Sequence, residues 1–337
     1  MPLPQVMAAI KDLREARREL LRLVDSLSPE DWYRYVPYGE WTIKDVIAHL
    51  VGDMSPGGAG LILAGVLTPE FIMGTAEFVN RRAWNAKIVA ERARLTPADL
   101  RQMLYHAHDR FIAAARRISR RHLEVLELPV PMGPGYTLKV EDWLWAGYHY
   151  RLHADDVRRA LRESWAPEPL TFLPEVEALF PKLWRYRDGF LRAVYSVADD
   201  AWDEPCPSCP GWSYRDVVAH VASNETRAHL RLRFCLGEIG LQELAPLEDV
   251  DGWNQKQVEA RRDREVCELV DELARGRYET LTLLSRLAKD HLEMEVPLPR
   301  GRTMPLLDYI GRLGPHEAEH AGHLVSASRA RRLGRSK

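Results

Sequence analysis

The feature that most constrains the fold is an internal repeat, because the second half of the chain restates the motifs of the first half in the same order. The segment 196–221 matches 26–50, and 291–303 matches 122–137. Matched residues are displaced by 167 to 171 positions: Trp41 with Trp212, Asp45 with Asp216, His49 with His220, Trp84 and Asn85 with Trp253 and Asn254, His149 with His316, and His153 with His320. A period this long excludes a solenoid and predicts two copies of one domain.

Apolar residues recur at helical spacing through most of each copy, which predicts an all-α fold. The helices predicted for the first copy cover 5–27, 42–50, 76–93, 97–119 and 140–163. Thr42 and Asp45 have the spacing of a capping box at the start of the second helix. We predict two tandem four-helix bundles, residues 1–163 and 176–337, joined by a proline-rich linker at 164–175.

Two segments of the first copy break the helical pattern. Residues 55–74 are apolar and rich in glycine and proline. They predict a long connection that covers the core or lines a pocket. Residues 123–139 alternate and contain prolines and glycines, which predicts a strand-like excursion or a loop.

Composition excludes several classes of function. The 337 residues include 47 basic and 49 acidic side chains, so the net charge of -2 predicts no nucleic-acid or membrane surface. No apolar run reaches the roughly 18 residues of a membrane span, and the charged N-terminus does not resemble a signal peptide. Four cysteines are too few for a disulfide scaffold, which favours a cytoplasmic protein. We therefore expect neither a nucleic-acid partner nor a membrane partner.

Histidines carry the strongest functional signal. Each copy has one histidine on its second helix and an HxxxH pair on its last long helix, and residues four apart share a helix face. An antiparallel bundle can bring such helices together around a metal ion. The predicted ligands are His49, His149 and His153 in the first copy, and His220, His316 and His320 in the second. Three imidazoles leave an open coordination position, as in catalytic sites. Imidazole suits Zn, Ni, Fe and Cu alike. We expect Zn²⁺, with Ni, Fe, Mn or Cu as alternatives.

The segment His316-Glu317-x-x-His320 is also formally the HExxH motif of zinc proteases, with the Glu as general base. The first copy has Tyr150 at the position of Glu317, which predicts that Glu317 is incidental to the shared site. Pro315 predicts that the motif lies in the first turn of its helix. His323 extends the same face, but Asp156 occupies its place in the first copy. We therefore expect His323 behind or beside the site.

The motif Trp-[Thr/Ser]-x-x-Asp-Val-x-Ala-His, followed about 95–100 residues later by His-x-x-x-His, resembles the DinB/YfiT-like superfamily. The form Pro-Gly-Trp-Ser-x-Arg-Asp-Val-Val-Ala-His at 210–220 is most similar to its mycothiol-dependent maleylpyruvate isomerase branch. The resemblance covers nearly the whole chain twice and implies two DinB-like bundles, each with a three-ligand metal site. The isomerase has Glu where this chain has His149 and His316, so the all-histidine triads are more similar to the thiol-transferase members.

The resemblance implies a thiol S-transferase or isomerase that acts on small electrophiles through a metal-bound thiolate of mycothiol or bacillithiol. The candidate substrate-binding residues are those repeated near the triads: Trp84, Asn85, Trp253, Asn254, Arg92 and Arg261. No catalytic residue beyond the metal ligands is predicted. The alternative is a non-catalytic, stress-associated metal-binding scaffold, and a metallohydrolase ranks below both. The tandem is predicted to be a monomer acting as a pseudo-dimer, or a homodimer.

Cysteine carries one smaller signal. Cys206-Pro207-Ser208-Cys209 is a CxxC motif, but it precedes Pro210-Gly211 and has no counterpart in the first copy. A redox CxxC normally opens a helix after a strand. We therefore predict a structural loop.

Overall fold

The computed structural model describes residues 2–53, 81–107, 109–125, 127–129, 137–140, 144 and 146–334. The chain packs as two compact units, Met1–Pro167 and Glu168–Arg335. Both are built almost entirely of helices, which confirms the predicted all-α class.

The first domain contains α1 (Pro4–Asp25), α2 (Ile43–Asp53), α3 (Arg81–Arg92), α4 (Pro97–His106), α5 (Asp109–Ala115), α6 (Arg120–Val125) and α7 (Gly147–Arg162). Helix α1 packs along α7, and α2 packs against α3, α4 and α7. Buried side chains of α1, α2, α4 and α7 form one continuous core. On α2 the apolar stripe Ile43, Val46, Ile47 and Leu50 is fully buried. His49 flanks this stripe and is therefore drawn inside with it.

The second domain contains α8 (Pro174–Glu177), α9 (Phe180–Val194), α10 (Tyr214–Cys235), α11 (Val250–Glu259), α12 (Val266–Leu284) and α13 (Leu306–Gly334). Helix α9 packs along α13, α10 packs along α12, and α10 also contacts α13. These four helices make the bundle, with two clusters of buried apolar residues between them.

The second helix of each bundle begins at a capping box. Thr42 Oγ1 accepts from the Asp45 backbone N–H at 3.2 Å, and Asp45 Oδ2 accepts from the Thr42 N–H at 3.0 Å. Ser213 and Asp216 repeat the pattern at 3.2 and 2.9 Å. This confirms the cap predicted at Thr42.

A short antiparallel hairpin precedes the last helix of each domain. Strands β1 (Glu127–Pro129) and β2 (Thr137–Lys139) pair in the first domain, and β3 (Glu295–Leu298) and β4 (Arg302–Pro305) pair in the second. The strand-like excursion predicted at 123–139 is thus a hairpin. Residues 123–125 of that predicted segment belong to the end of α6 and not to the hairpin.

Three predicted elements differ from the structure or lie outside it. The helix predicted over 97–119 is divided into α4 and α5, with Ala107 as the C-cap of α4. Pro315 is not in a first turn, because α13 begins nine residues earlier and contains this proline in its interior. The connection predicted at 55–74 lies outside the described residues.

Among the described residues, no helix combines the length and the apolar character that crossing a bilayer requires.

Candidate metal centre

In the first domain, α2 and α7 bring His49, His149 and His153 to one point. Nε2 of His149 lies 3.2 Å from Nε2 of His49 and 3.1 Å from Nε2 of His153. All three side chains are buried in the bundle. The i, i+4 spacing places the two histidines of α7 on the same face, one turn apart. The packing of α2 on α7 supplies the third histidine.

The second domain repeats the arrangement with His220 of α10 and His316 and His320 of α13. Nε2 of His220 lies 3.0 Å from Nε2 of His316. The ring centroids of His220 and His320 are 4.8 Å apart, compared with 5.2 Å for His49 and His153. The structure therefore brings all six predicted ligands together as two triads.

The donor sets fit a divalent cation. A tetrahedral ion with metal–nitrogen bonds of about 2.0–2.1 Å separates its nitrogens by about 3.3 Å. The Nε2 separations of 3.0 to 3.2 Å are close to that value. In each triad the possible ligand atoms all lie within 4.8 Å of one another.

Burial keeps the second triad neutral, which is the form that binds metals. Desolvation, with smaller contributions from neighbouring positive charges, lowers the pKa of His220 to about 2 and that of His320 to about 3. The pKa of His316 is also lowered, first by burial and then by the charge of Arg227. At neutral pH these imidazoles therefore hold lone pairs rather than extra protons.

A carboxylate contacts one histidine of the first triad on the side away from the other two. Asp156 Oδ2 lies 2.8 Å from Nδ1 of His153, and Asp156 Oδ1 lies 3.0 Å from Nη1 of Arg159. Burial acts to raise the pKa of Asp156, but these two partners bring it below its ordinary value. An ionised carboxylate can only accept, so His153 carries its proton on Nδ1 and directs the Nε2 lone pair toward the triad.

Each first histidine is covered by a tryptophan that sequence analysis did not assign to the site. The rings of Trp41 and His49 are 5.1 Å apart, and those of Trp212 and His220 are 4.9 Å apart. The signal for these residues was present in the sequence, since a tryptophan precedes the first histidine by eight positions in both copies.

Arg227 is a second residue that sequence analysis missed. It follows His220 by seven positions on α10, which is two turns along the same face. Within the described part of the chain it forms no hydrogen bond or ion pair, and its charge lowers the pKa of His316. Burial, together with the charge of Arg231, lowers the pKa of Arg227 itself. The second triad therefore has a partly buried cation beside it.

Glu317, which the repeat predicts to be incidental to the shared site, belongs to neither group of metal-ligand atoms in the second domain and instead anchors a buried ionic network. Its carboxylate accepts from Arg187 Nε at 3.0 Å and from Arg277 Nη2 at 2.6 Å. Both arginines also bind Glu225, whose second oxygen accepts from Thr280. Burial would raise the pKa of Glu225, but the two guanidinium groups lower it to about 2. Two guanidinium groups thus hold the Glu317 carboxylate in ion pairs. A carboxylate held in this way is not suited to act as a general base.

The predicted substrate-binding residues lie on helices that pack beside the triads. Asn85 is on α3, Trp253 and Asn254 are on α11, and these helices contact α2 and α10. Trp253 Nε1 and Asn254 Oδ1 are buried atoms without a hydrogen-bond partner among the described residues. Trp84 also belongs to α3, but its side chain lies outside the described part of the chain.

The two predicted carboxylate-binding arginines have intramolecular partners. Arg261 Nη2 donates to Glu272 Oε1 at 2.6 Å, and its Nη1 donates to Gln257. Arg92 Nη1 donates to the Ile88 carbonyl oxygen at 3.0 Å and lies 3.4 Å from a carboxylate oxygen of Glu91. Because Arg261 already binds the carboxylate of Glu272, we assign it a structural role.

The CxxC motif forms a turn whose second cysteine reaches α13. The Cys206 N–H donates to the Trp212 carbonyl oxygen at 2.8 Å, and the Cys209 N–H donates to that of Cys206 at 3.0 Å. Cys209 Sγ lies 3.1 Å from Nδ1 of His323. Burial, followed by the hydrogen bond to Cys206, raises the pKa of the Cys209 thiol to about 12.

Comparison with known families agrees with the repeat. A family model described as mycothiol maleylpyruvate isomerase N-terminal domain matches the chain twice, over residues 13–158 and 183–319. No curated protein and no solved structure matches the chain. The two family matches span most of the sequence and confirm the predicted resemblance in two tandem copies.

Proposed function

Because the chain belongs to the mycothiol maleylpyruvate isomerase N-terminal domain family, with two tandem copies of that domain, we propose that it is a metal-dependent enzyme. The reaction class is transfer or isomerisation of a small electrophile with a low-molecular-weight thiol such as mycothiol or bacillithiol. A bound divalent cation, with Zn²⁺ the best suited, supplies an open coordination position at which such a thiol loses its proton.

The observation that carries this proposal is the repetition of the triad. Three imidazoles from two helices converge in each domain, with ligand atoms within 4.8 Å of one another. The Nε2 atoms of the pairs His49–His149, His149–His153 and His220–His316 are 3.0 to 3.2 Å apart. An isolated buried histidine is commonly a core residue. Six histidines that converge in matched places of two divergent copies support a shared metal-binding role.

Other residues of the chain have supporting roles in the proposal. Asp156 orients His153, and Trp41 and Trp212 cover the first histidine of each triad. Arg227 supplies a positive charge beside the second triad, which favours an electrophile or a thiol with an anionic group. Trp253 Nε1 is a donor and Asn254 Oδ1 an acceptor, and each is available to a ligand because it has no hydrogen-bond partner among the described residues.

The test is a thiol-conjugation assay with monochlorobimane and a panel that includes mycothiol, bacillithiol and glutathione. We expect turnover with at least one thiol, loss of that turnover on chelation, and recovery on addition of Zn²⁺. The double variant His149→Ala, His220→Ala removes one ligand from each triad and should be inactive. His106→Ala, an exposed histidine of α4, is the matched control and should retain activity.

The other outcomes separate the alternatives. Metal bound at both triads without turnover across thiols and electrophiles would favour the non-catalytic scaffold. Hydrolytic activity that disappears in Glu317→Gln, while metal remains bound, would favour the metallohydrolase. A metal content near zero in metal-supplemented protein would overturn the proposal.

A further inference from the structure

The second domain contains another group of metal-ligand atoms, which has no equivalent among the described residues of the first domain. Cys209, His320 and His323 each offer one ligand atom, and these atoms lie within 4.8 Å of one another. Cys209 Sγ and His323 Nδ1 are 3.1 Å apart, and the rings of His320 and His323 are 5.1 Å apart. The three side chains come from the turn before α10 and from one face of α13, so tertiary packing assembles them.

His320 belongs to the triad but has a second nitrogen without a partner. His320 is only 7% exposed, and its Nδ1 is buried without a hydrogen bond among the described residues. In the first domain the matching histidine, His153, turns Nε2 toward the triad and Nδ1 toward Asp156. His323 occupies the position that matches Asp156. The carboxylate that holds this nitrogen in one domain is therefore replaced by an imidazole in the other.

We propose that the second domain binds an additional metal ion beside its triad, held by Cys209 Sγ, His323 Nδ1 and Nδ1 of His320. Sulfur with imidazole nitrogen selects a thiophilic cation, Zn²⁺ in the first instance, over Mg²⁺ or Ca²⁺. On binding, the Sγ–H bond of Cys209 and the Nδ1–H bond of His320 would break. Sulfur and nitrogen keep the electron pairs that bind the ion, and two protons leave to solvent. His320, as an imidazolate, would then hold the triad ion through one nitrogen and the additional ion through the other.

Distances and charge both support this site. An ion with bonds of about 2.3 Å to sulfur and about 2.0 Å to nitrogen separates those two atoms by about 3.5 Å. Rotation of the Cys209 or His323 side chain covers the difference from the present 3.1 Å. The carboxylate of Glu319 acts on the Cys209 thiol electrostatically and adds negative charge near the site. The first domain has Tyr38 and Asp156 at the positions of Cys209 and His323, so it offers no equivalent.

Cobalt titration of the reduced, metal-free full chain tests the proposal, because Co²⁺ replaces Zn²⁺ and reports a bound thiolate by a sulfur-to-cobalt charge-transfer band. We expect three Co²⁺ per chain and one such band. Cys209→Ser should abolish the band and lower the ratio to two, and so should His323→Ala. Cys235→Ser and Cys267→Ser are the matched controls and should leave both the band and the ratio unchanged.

The variant His220→Ala distinguishes the additional ion from the triad ion. It removes a ligand from the triad only, so the band should survive in His220→Ala. Loss of the band there, or its survival in His323→Ala, would place Cys209 on the triad ion and overturn the additional site. Two Co²⁺ per chain without a sulfur band would overturn it while leaving the triads intact. Far-ultraviolet circular dichroism checks that each variant is folded.

Discussion

At the scale of single residues, the two triads differ in the hydrogen-bond partners of their histidine Nδ1 atoms. In the first domain Asp156 fixes the proton of His153. In the second domain Nδ1 of His220, His316 and His320 are buried without hydrogen-bond partners among the described residues. A hydrogen-bonded carboxylate such as Asp156 orients a histidine ligand and raises its basicity. We therefore expect the two triads to differ in metal affinity, with the contribution of Asp156 measurable by itself.

Replacing Asp156 by Asn should weaken metal binding at the first triad by about 10- to 100-fold, because the amide provides no negative charge to hold the Nδ1 proton. Chelator competition measures the affinity in a His220→Ala, Cys209→Ser background, which leaves the first triad as the site to be titrated. Asp155→Asn is the control, since Asp155 pairs with Arg158 instead. Equal affinities for Asp156→Asn and Asp155→Asn would contradict the assigned role.

Breaking the buried ionic network around Glu317 should lower the free energy of unfolding of the second domain. Glu317→Gln leaves Arg187 and Arg277 facing one carboxylate instead of two, and removal of one partner from a buried ionic group typically costs about 3–5 kcal/mol. We expect the unfolding midpoint of the second domain in urea to fall accordingly. Glu319→Gln, two residues along the same helix and exposed, should unfold like the unmodified protein. Similar midpoints for the two variants would show that the network adds little stability.

At the scale of elements, the start of α10 determines where His220 is placed. Ser213 and Asp216 satisfy each other's backbone N–H groups at the helix start, and His220 lies two turns later. The same cap begins α2 ahead of His49. A capping box thus sets the rotation of each helix that carries the first ligand.

Ser213→Ala should destabilise the second domain by about 1 kcal/mol, because the Asp216 N–H loses its acceptor at the helix start. The measurement is urea unfolding followed in the second domain. Ser208→Ala, in the exposed turn before this helix, is the control and should change the midpoint little. A loss in Ser208→Ala as large as that in Ser213→Ala would argue against the cap as the cause.

Helix α13 shows where local sequence signals mislead. Pro315 is a typical first-turn residue, yet the helix extends from Leu306 through it. A proline in a helix interior removes one backbone hydrogen bond, and tertiary packing can compensate for that loss. Helix α13 packs along α9, and this contact could not be predicted from the proline itself.

At the scale of the whole molecule, acid should destabilise the metal-free second domain. The pKa of His220 falls from 6.5 to about 2 on folding, and that of His320 falls from 6.5 to about 3. Below pH 6.5 the unfolded chain therefore binds protons that the folded domain does not, so stability falls as the pH falls. Each histidine contributes at most about 1.4 kcal/mol per pH unit.

Thermal unfolding of the metal-free protein at pH 7.5 and pH 5 measures this effect. We expect a lower melting temperature at pH 5, and a smaller difference in His220→Gln, which removes one of the histidines whose pKa is lowered by folding. Identical pH dependence in the variant and the unmodified chain would show that His220 does not cause the loss. Bound metal should hold the imidazoles unprotonated and shift the loss to lower pH.

The two-copy helical organisation, the family and the six matched histidines could all be inferred from the sequence alone. These depend on local periodicity and on the repeat, which shows twice which residues belong together. The three-dimensional packing was needed to show that Glu317 faces two arginines, that Arg261 is paired with Glu272, and that Cys209 contacts His323. Glu317 with Arg187, and Cys209 with His323, are more than 100 positions apart and have no counterpart in the other copy. Helical spacing shows which residues share a face, but only packing decides which faces meet.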